Sequence, residues 1–302
     1  MRIAHLSDLH LSPDHFPDRT DAFYEILQKC KTLDVDHIII TGDITNQAKP
    51  KEFAHARSIL KEFRFLDPEK LTVTIGNHDI YGGPYYAEDV LTFPRYCSET
   101  NYDAKLKEFH SSFHESFDGC QYINGKSIFP FVKIIKGIAF VGINSVARWN
   151  AWSNPLGSNG EIDPDEFRQL KGLFESDMLK KSTVLVLIHH HFNKTGKRNT
   201  KGKLDRLWHA IEMNTMKLKR KKRLFKLFAN AGVGKVLHGH MHQHATYERR
   251  NIEFFNAGGT MLMDHQDVRR FHLLQVHGKG VEHTNVIVPD SKKIRKALLQ
   301  TG

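Results

Sequence analysis

Residues 2–10 read Arg-Ile-Ala-His-Leu-Ser-Asp-Leu-His. The run Arg2–Leu6 has the pattern of a strand, and Asp8 and His10 follow where it ends. The same arrangement recurs twice. His37–Thr41, rich in isoleucine, runs into Gly42-Asp43, and the β-branched run Leu71–Ile75 runs into Gly76-Asn77-His78-Asp79. Between them, Thr20–Cys30 and Glu52–Glu62 carry helical periodicity. This strand–helix–strand–helix–strand order predicts parallel pairing through crossover helices. In such sheets, functional groups gather at the carboxyl ends of strands, where Asp8, His10, Asp43 and Asn77 all lie.

The remainder continues the alternation. Tyr81–Pro94, rich in Gly, Pro and Tyr, reads as a loop, and Asn101–Phe117 as helical. Phe129–Ile135 and Ile138–Ile143 flank Lys136-Gly137 as a β-hairpin. Asp163–Leu179 reads as a helix with Pro164 in its first turn. Thr183–Ile188 is a buried-strand pattern ahead of His189-His190, and Val233–Leu237 is another ahead of His238-Gly239-His240-Met241-His242. Late strands are expected at Ile252–Phe255, Phe271–Val276 and Glu282–Val288, with Asn256 and Gly258 supporting the neighbouring histidine loop. The expected architecture is α/β: a four-layer α/β/β/α sandwich of two mixed sheets flanked by helices, with a small helical cap insertion. Residues 1–288 form its one domain, and 289–302 a basic tail with Lys292, Lys293, Arg295 and Lys296.

A chain of 302 residues with 40% hydrophobic and 26% charged residues is an ordinary globular protein able to bury a sizeable core. The net charge of +10 favours anionic partners. The first strand begins too early for a secretory signal, and no apolar run approaches the ~20 residues of a membrane span. Cys30, Cys97 and Cys120, odd in number and widely spaced, read as reduced thiols in a cytoplasmic protein. Neither Gly82-Gly83 nor Gly258-Gly259 has the spacing of a nucleotide cradle.

Residues i and i+2 of an extended segment point the same way, so Asp8 and His10 can reach one ion, and His240 and His242 repeat that geometry. A lone Asp-x-His is surface chance, and a lone Gly-Asn-His-Asp is a tight turn. Five such motifs in order, each behind a strand, point to metal chemistry. Mixed carboxylate and imidazole donors suit manganese, iron or zinc better than calcium or magnesium.

The pattern D-x-H, G-D, G-N-H-D, H and G-H-x-H resembles that of the calcineurin-like metallophosphoesterase superfamily, over residues 3 to 288. The resemblance implies that Asp8, His10, Asp43 and His242 hold one metal. It implies that Asp43, Asn77, His189 and His240 hold the second, with Asp43 bridging. It also implies that His78 faces the phosphate and assists the leaving oxygen, with Asp79 orienting its ring. Two divalent ions bring four positive charges, of which Asp8 and Asp43 offset only two; this favours a phosphate ester attacked by a metal-bridging hydroxide. The order of motifs resembles the branch of cyclic-nucleotide and glycerophosphodiester phosphodiesterases. The alternatives are a phosphomonoesterase, a nuclease, a hydrolase of lipid-linked pyrophosphates, and a non-catalytic binding protein that keeps the fold. One departure concerns His189-His190-His191-Phe192, where the family often has His-His-Pro. His189 is the favoured ligand, with His190 facing substrate or supporting the ligands, and the reverse register stays open.

Two insertions are candidates for substrate choice. Ser145–Ile162 holds Arg148, Trp149 and Trp152; Trp149 and Trp152 either stack on a base or pack under their own loop, and Arg148 is a candidate for a second phosphate. The segment 191–230 is strongly basic between Lys194 and Lys226. It reads either as a solvated helix face or as a cap that recruits nucleic acid or an anionic membrane surface.

Overall fold

A computed structural model describes residues 1–83, 89, 91–122, 128–193, 216–262 and 268–290. Its first sheet has the order β12-β11-β1-β2-β3, built from β1 (Arg2–Leu6), β2 (His37–Thr41), β3 (Leu71–Thr74), β11 (Val268–His277) and β12 (Gly280–Pro289). β1, β2 and β3 are mutually parallel, while β11 and β12 join antiparallel. The second sheet has the order β4-β5-β6-β7-β8-β10-β9. It comprises β4 (Gln121–Tyr122), β5 (Phe131–Ile135), β6 (Ile138–Ile143), β7 (Thr183–Ile188), β8 (Lys235–His238), β9 (His244–Arg249) and β10 (Ile252–Ala257). Its centre, β6-β7-β8-β10, is parallel, and both flanks are antiparallel.

Side-chain alternation along the strands builds the layers. Ile3, Ile39, Phe140, Leu185, Leu187, Leu237, Phe255 and Leu274 pack between the two sheets. Their chain neighbours point outward. Ala4, Leu6, Ile38 and Ile40 meet Phe23, Ile26 and Leu27 of α1 (Pro17–Thr32) and Phe53, Ile59 and Leu60 of α2 (Pro50–Glu62). On the other outer face, Val141, Val186, Val236 and Phe254 meet Leu170 and Leu173 of α6 (Pro164–Glu175) and Leu224, Phe225 and Phe228 of α7 (Lys221–Asn230). Central strands are therefore apolar on both faces, and the result is the expected α/β/β/α sandwich.

Local chemistry sets the boundaries. Pro17 and Pro164 open α1 and α6 at positions where a missing N–H costs nothing, and the Asp163 carboxylate accepts from Asp165 N–H at 2.8 Å. Lys136 and Gly137 both take positive φ, as a two-residue hairpin turn requires. The expected helix over 101–117 divides into α4 (Tyr102–Ser112) and α5 (His114–Phe117), and α3 (Phe93–Glu99) forms at the end of the expected loop. β4 and β9 have no counterpart in the reading of the sequence.

The expected cap lies only partly within the described residues. Ser145–Ile162 is irregular, with Val146 bridged to Gly160, and Gly160 bonded on both sides to Lys217 and Lys219. The described part of the basic insertion forms α7, which packs on the outer face of the second sheet rather than as a helix over the strand ends. Residues 194–215, which hold the first half of that basic run, and the tail 291–302 lie outside the described residues.

Candidate metal centre

The loops after β1 and β2 run side by side: Asp8 N–H donates to Gly42 O, His10 N–H to Asp43 O, and Leu11 N–H to Ile44 O. The loop after β3 closes against them because Gly42 and Gly76 lack side chains. A Cβ on Gly76 would overlap the Asp43 carboxylate, and one on Gly42 would lie 2.6 Å from His189 Nδ1. Gly42 also needs its φ of 89°. From the second sheet, Gly239 N–H donates to His189 O, and His240 N–H to both Asp8 oxygens.

Asp8, His10, Asp43, His240 and His242 all sit at positive φ, between 45° and 76°. The expected reason for Asp8 and His10 to converge, extended alternation, is therefore wrong: both pairs converge through left-handed turns. L-residues adopt these at a cost of about 1–2 kcal/mol each, and such outliers concentrate at functional sites.

Two donor sets result. Asp8, His10, Asp43 and His242 bring one donor atom each into one cluster, and Asp43, His189 and His240 do so in a second. His10 Nε2 lies 2.9 Å from His242 Nε2, and 3.9 and 3.8 Å from Asp8 Oδ1 and Asp43 Oδ2. His189 Nε2 lies 3.1 Å from Asn77 Oδ1, 3.1 Å from His240 Nδ1 and 3.3 Å from the same Asp43 Oδ2. Asp43 Oδ2 is thus common to both sets, while Asp43 Oδ1 accepts from His78 N–H at 2.8 Å.

This donor set fits metal ions. His189 Nδ1 faces the Thr41 carbonyl at 2.8 Å and must carry a proton there, which leaves a lone pair on Nε2 of the neutral ring. That lone pair points at a carboxylate oxygen and an amide oxygen, both acceptors, in a buried place. Only a cation or a further proton satisfies it. Without a metal, burial opposes charge on His189, but Asp43, Asp8 and the Thr41 carbonyl raise its pKa to about 9, so that a proton takes the place of the ion. Burial likewise opposes charge on Asp8, yet its hydrogen bond to His242 holds its pKa down at about 2.

The structure puts His189, not His190, in the cluster. His190 is buried with Nδ1 2.8 Å from Ser145 Oγ and Nε2 3.2 Å from the Ser158 carbonyl, so both its nitrogens are engaged by protein. Its ring packs 4.3 Å from that of His240. His78 stands edge-on to His10, with ring centroids 4.4 Å apart. Its expected partner is corrected: Asp79 turns away, accepting from Thr45 N–H, Thr45 Oγ1 and Gly76 N–H, while His78 Nδ1 bonds the Asn46 carbonyl at 3.0 Å. Burial and the nearby Asp43 charge raise the Asp79 pKa to about 7. Asn46 is the residue that sequence reasoning missed, because it acts on His78 through its backbone carbonyl.

Arg148 and Trp149 are not brought to the cluster. Arg148 pairs through both terminal nitrogens with Asp103 of α4 and lies over the Tyr102 ring. Trp149 packs on the core and donates from Nε1 to Pro155 O at 3.2 Å. Both line a separate cleft of about 1060 Å³ that includes none of the donor residues. Trp152 is 95% exposed. Asn256 Oδ1 accepts from Gly258 N–H, and Gly258 abuts the His242 backbone, as a support of the histidine loop would.

A sandwich of two mixed sheets with a dinuclear Asp/His centre at its strand ends defines a metal-dependent phosphoester hydrolase. The family model for calcineurin-like phosphoesterases matches residues 1–244, and the chain belongs to that family. No curated protein sequence matches it. Its fold is similar to that of a dimetal phosphatase from Danio rerio, at 9% identity and a TM-score of 0.57, covering 95% of this chain and 99% of that one. It is also similar to purple acid phosphatase PPD1 from yellow lupin (Lupinus luteus) seeds, at 12% identity and a TM-score of 0.57, covering 98% of this chain and 55% of that one. At these identities the likeness is one of fold. No helix among the described residues is long and apolar enough to cross a membrane.

Proposed function

We propose that the protein is a phosphodiesterase in which Asp8, His10, Asp43 and His242 hold one metal ion and Asp43, Asn77, His189 and His240 the other. The observation that carries this reading is the buried meeting of acceptor with acceptor around Asp43 Oδ2, which two cations would resolve. When bound, such ions supply Lewis acidity and lower the pKa of a bound water enough to provide a nucleophile near neutral pH. Manganese, iron and zinc all suit these donors.

The protein's own groups do the rest. Two carboxylates against two divalent ions leave the site positive, which favours an anionic ester. Asp43 Oδ1, held by His78 N–H, keeps Oδ2 between the two sets. His78, with Nδ1 committed to Asn46 O, leaves Nε2 for substrate, where it stabilises or protonates the leaving oxygen. The first donor set is open, since the His242 side chain is 42% exposed, while His189 and His240 are buried. An open face accommodates substituents on both sides of phosphorus, and this favours a diester.

The test is hydrolysis of bis-p-nitrophenyl phosphate, p-nitrophenyl phosphate, cyclic nucleotides and polymeric nucleic acid by metal-stripped protein given manganese, iron or zinc. Preferential turnover of the diester, and only with metal restored, is expected. Faster turnover of the monoester would reassign the enzyme as a phosphomonoesterase. Steep loss of activity with salt on nucleic acid would favour a nuclease.

A further inference from the structure

The loop after β1 turns at Phe16 into α1 and brings Arg19 against the outside of the first donor set. One nitrogen of its guanidinium, Nη1, donates to the His10 carbonyl at 3.0 Å and to Asn46 Oδ1 at 3.3 Å. The plane of the group lies over the Phe16 ring, 4.0 Å from its centroid. Nε and Nη2 have no acceptor among the described residues. Arg57, Arg148, Arg168 and Arg269 each pair with a carboxylate. Arg19 pairs with no carboxylate among the described residues.

Asn46 ties its position to the reaction centre. Asn46, only 5% exposed, takes Arg19 on its side-chain oxygen and the His78 ring on its carbonyl, so one residue fixes both groups. A guanidinium pre-oriented on one nitrogen, with the other two N–H-bearing nitrogens unclaimed, is the geometry that binds an oxyanion through paired hydrogen bonds.

We propose that Arg19 is a substrate-binding residue whose unclaimed nitrogens take a second oxyanion, carboxylate or phosphate, carried by the ester. The inference rests on the dinuclear phosphodiesterase reading and narrows its substrates to those bearing a further negative charge beyond the scissile phosphate.

The experiment is calorimetric binding to manganese-loaded full-length protein, which needs no turnover. The probes are methylphosphonate, 3-phosphonopropionate and propane-1,3-diphosphonate, which share a phosphonate and differ in carrying no second anion, a carboxylate or a second phosphonate. Wild-type protein is expected to bind one or both of the two-anion probes about tenfold or more tightly than methylphosphonate. Arg19→Gln should erase that advantage, with a far smaller effect on methylphosphonate, and Arg19→Lys should restore part of it. Whichever two-anion probe gains more identifies the second group as carboxylate or phosphate. A merely structural Arg19 would weaken all three probes equally. That result, or equal affinities in the wild type, overturns the proposal and leaves the dinuclear reading standing. If Arg19→Gln does not fold, the wild-type comparison and Arg19→Lys still decide. Methylphosphonate binding that is indifferent to manganese would count against the metal reading itself, and no binding by any probe would overturn both.

Discussion

His78 and His190 show how one residue type takes two roles within one site. His78 gives one nitrogen to the Asn46 carbonyl and, in the proposed mechanism, the other to substrate. His190 gives both to protein, to Ser145 and Ser158. His78→Ala should therefore lower kcat about 10²–10⁴-fold while both metals stay bound, as measured by turnover alongside metal content. Unchanged turnover would remove His78 from the chemistry. His189→Ala should lose metal, whereas His190→Ala should retain most of it; metal analysis showing the reverse would overturn the register. At this scale the sequence was legible in which residues meet and less so in why. Asp8, His10, Asp43, Asn77, His240 and His242 could be read from motif and strand end, but the left-handed turns that aim them leave no periodic trace. The Asn46 carbonyl is a backbone group, and side-chain pattern does not encode it.

At the scale of elements, the centre depends on how closely three loops approach. A methyl group on Gly76 has nowhere to go but into the Asp43 carboxylate. Gly76→Ala should cost about 1–3 kcal/mol and weaken metal binding, by denaturant midpoint and metal titration. Gly172→Ala is the control: it lies within α6, nothing approaches a Cβ there, and it should stabilise by up to about 1 kcal/mol. If Gly76→Ala binds metal as well as wild type, the loops are less constrained than their contacts imply. Strands buried on both faces, such as β2 and β7, were legible because they are continuous apolar runs. β9 was not, because His244–Arg249 is an edge strand of partly exposed polar residues whose partner β10, rather than its own pattern, makes it a strand.

At the scale of the whole molecule, buried histidines link folding to pH. His37 lies under Phe140, between the sheets, bonded to Glu69 O and to Thr72 Oγ1. Burial lowers its pKa from 6.5 to about 4. Between those values the unfolded chain holds a proton that the folded one does not, so stability falls as pH drops through this window. His37 alone should cost about 2 kcal/mol between pH 7 and pH 5. His37→Gln should show a shallower pH dependence by that amount in urea unfolding; an identical slope would mean that the ring is protonated or hydrated in the folded state. The layered architecture was legible from alternating strands and helices. The separation of Arg148 and Trp149 from the metal cluster was not, because sequence order gives the end of the strand that an insertion follows but not the direction in which its side chains turn. Asp103, 45 residues upstream, claims Arg148 through a contact that only the folded chain creates.

Anomalous diffraction from crystals soaked in manganese tests the central claim most directly. Two ions about 3.5–4 Å apart are expected, with Asp43 Oδ2 bound to both, His242 on the outer ion and His189 on the inner. A single ion, or two ions that do not share Asp43, would contradict it.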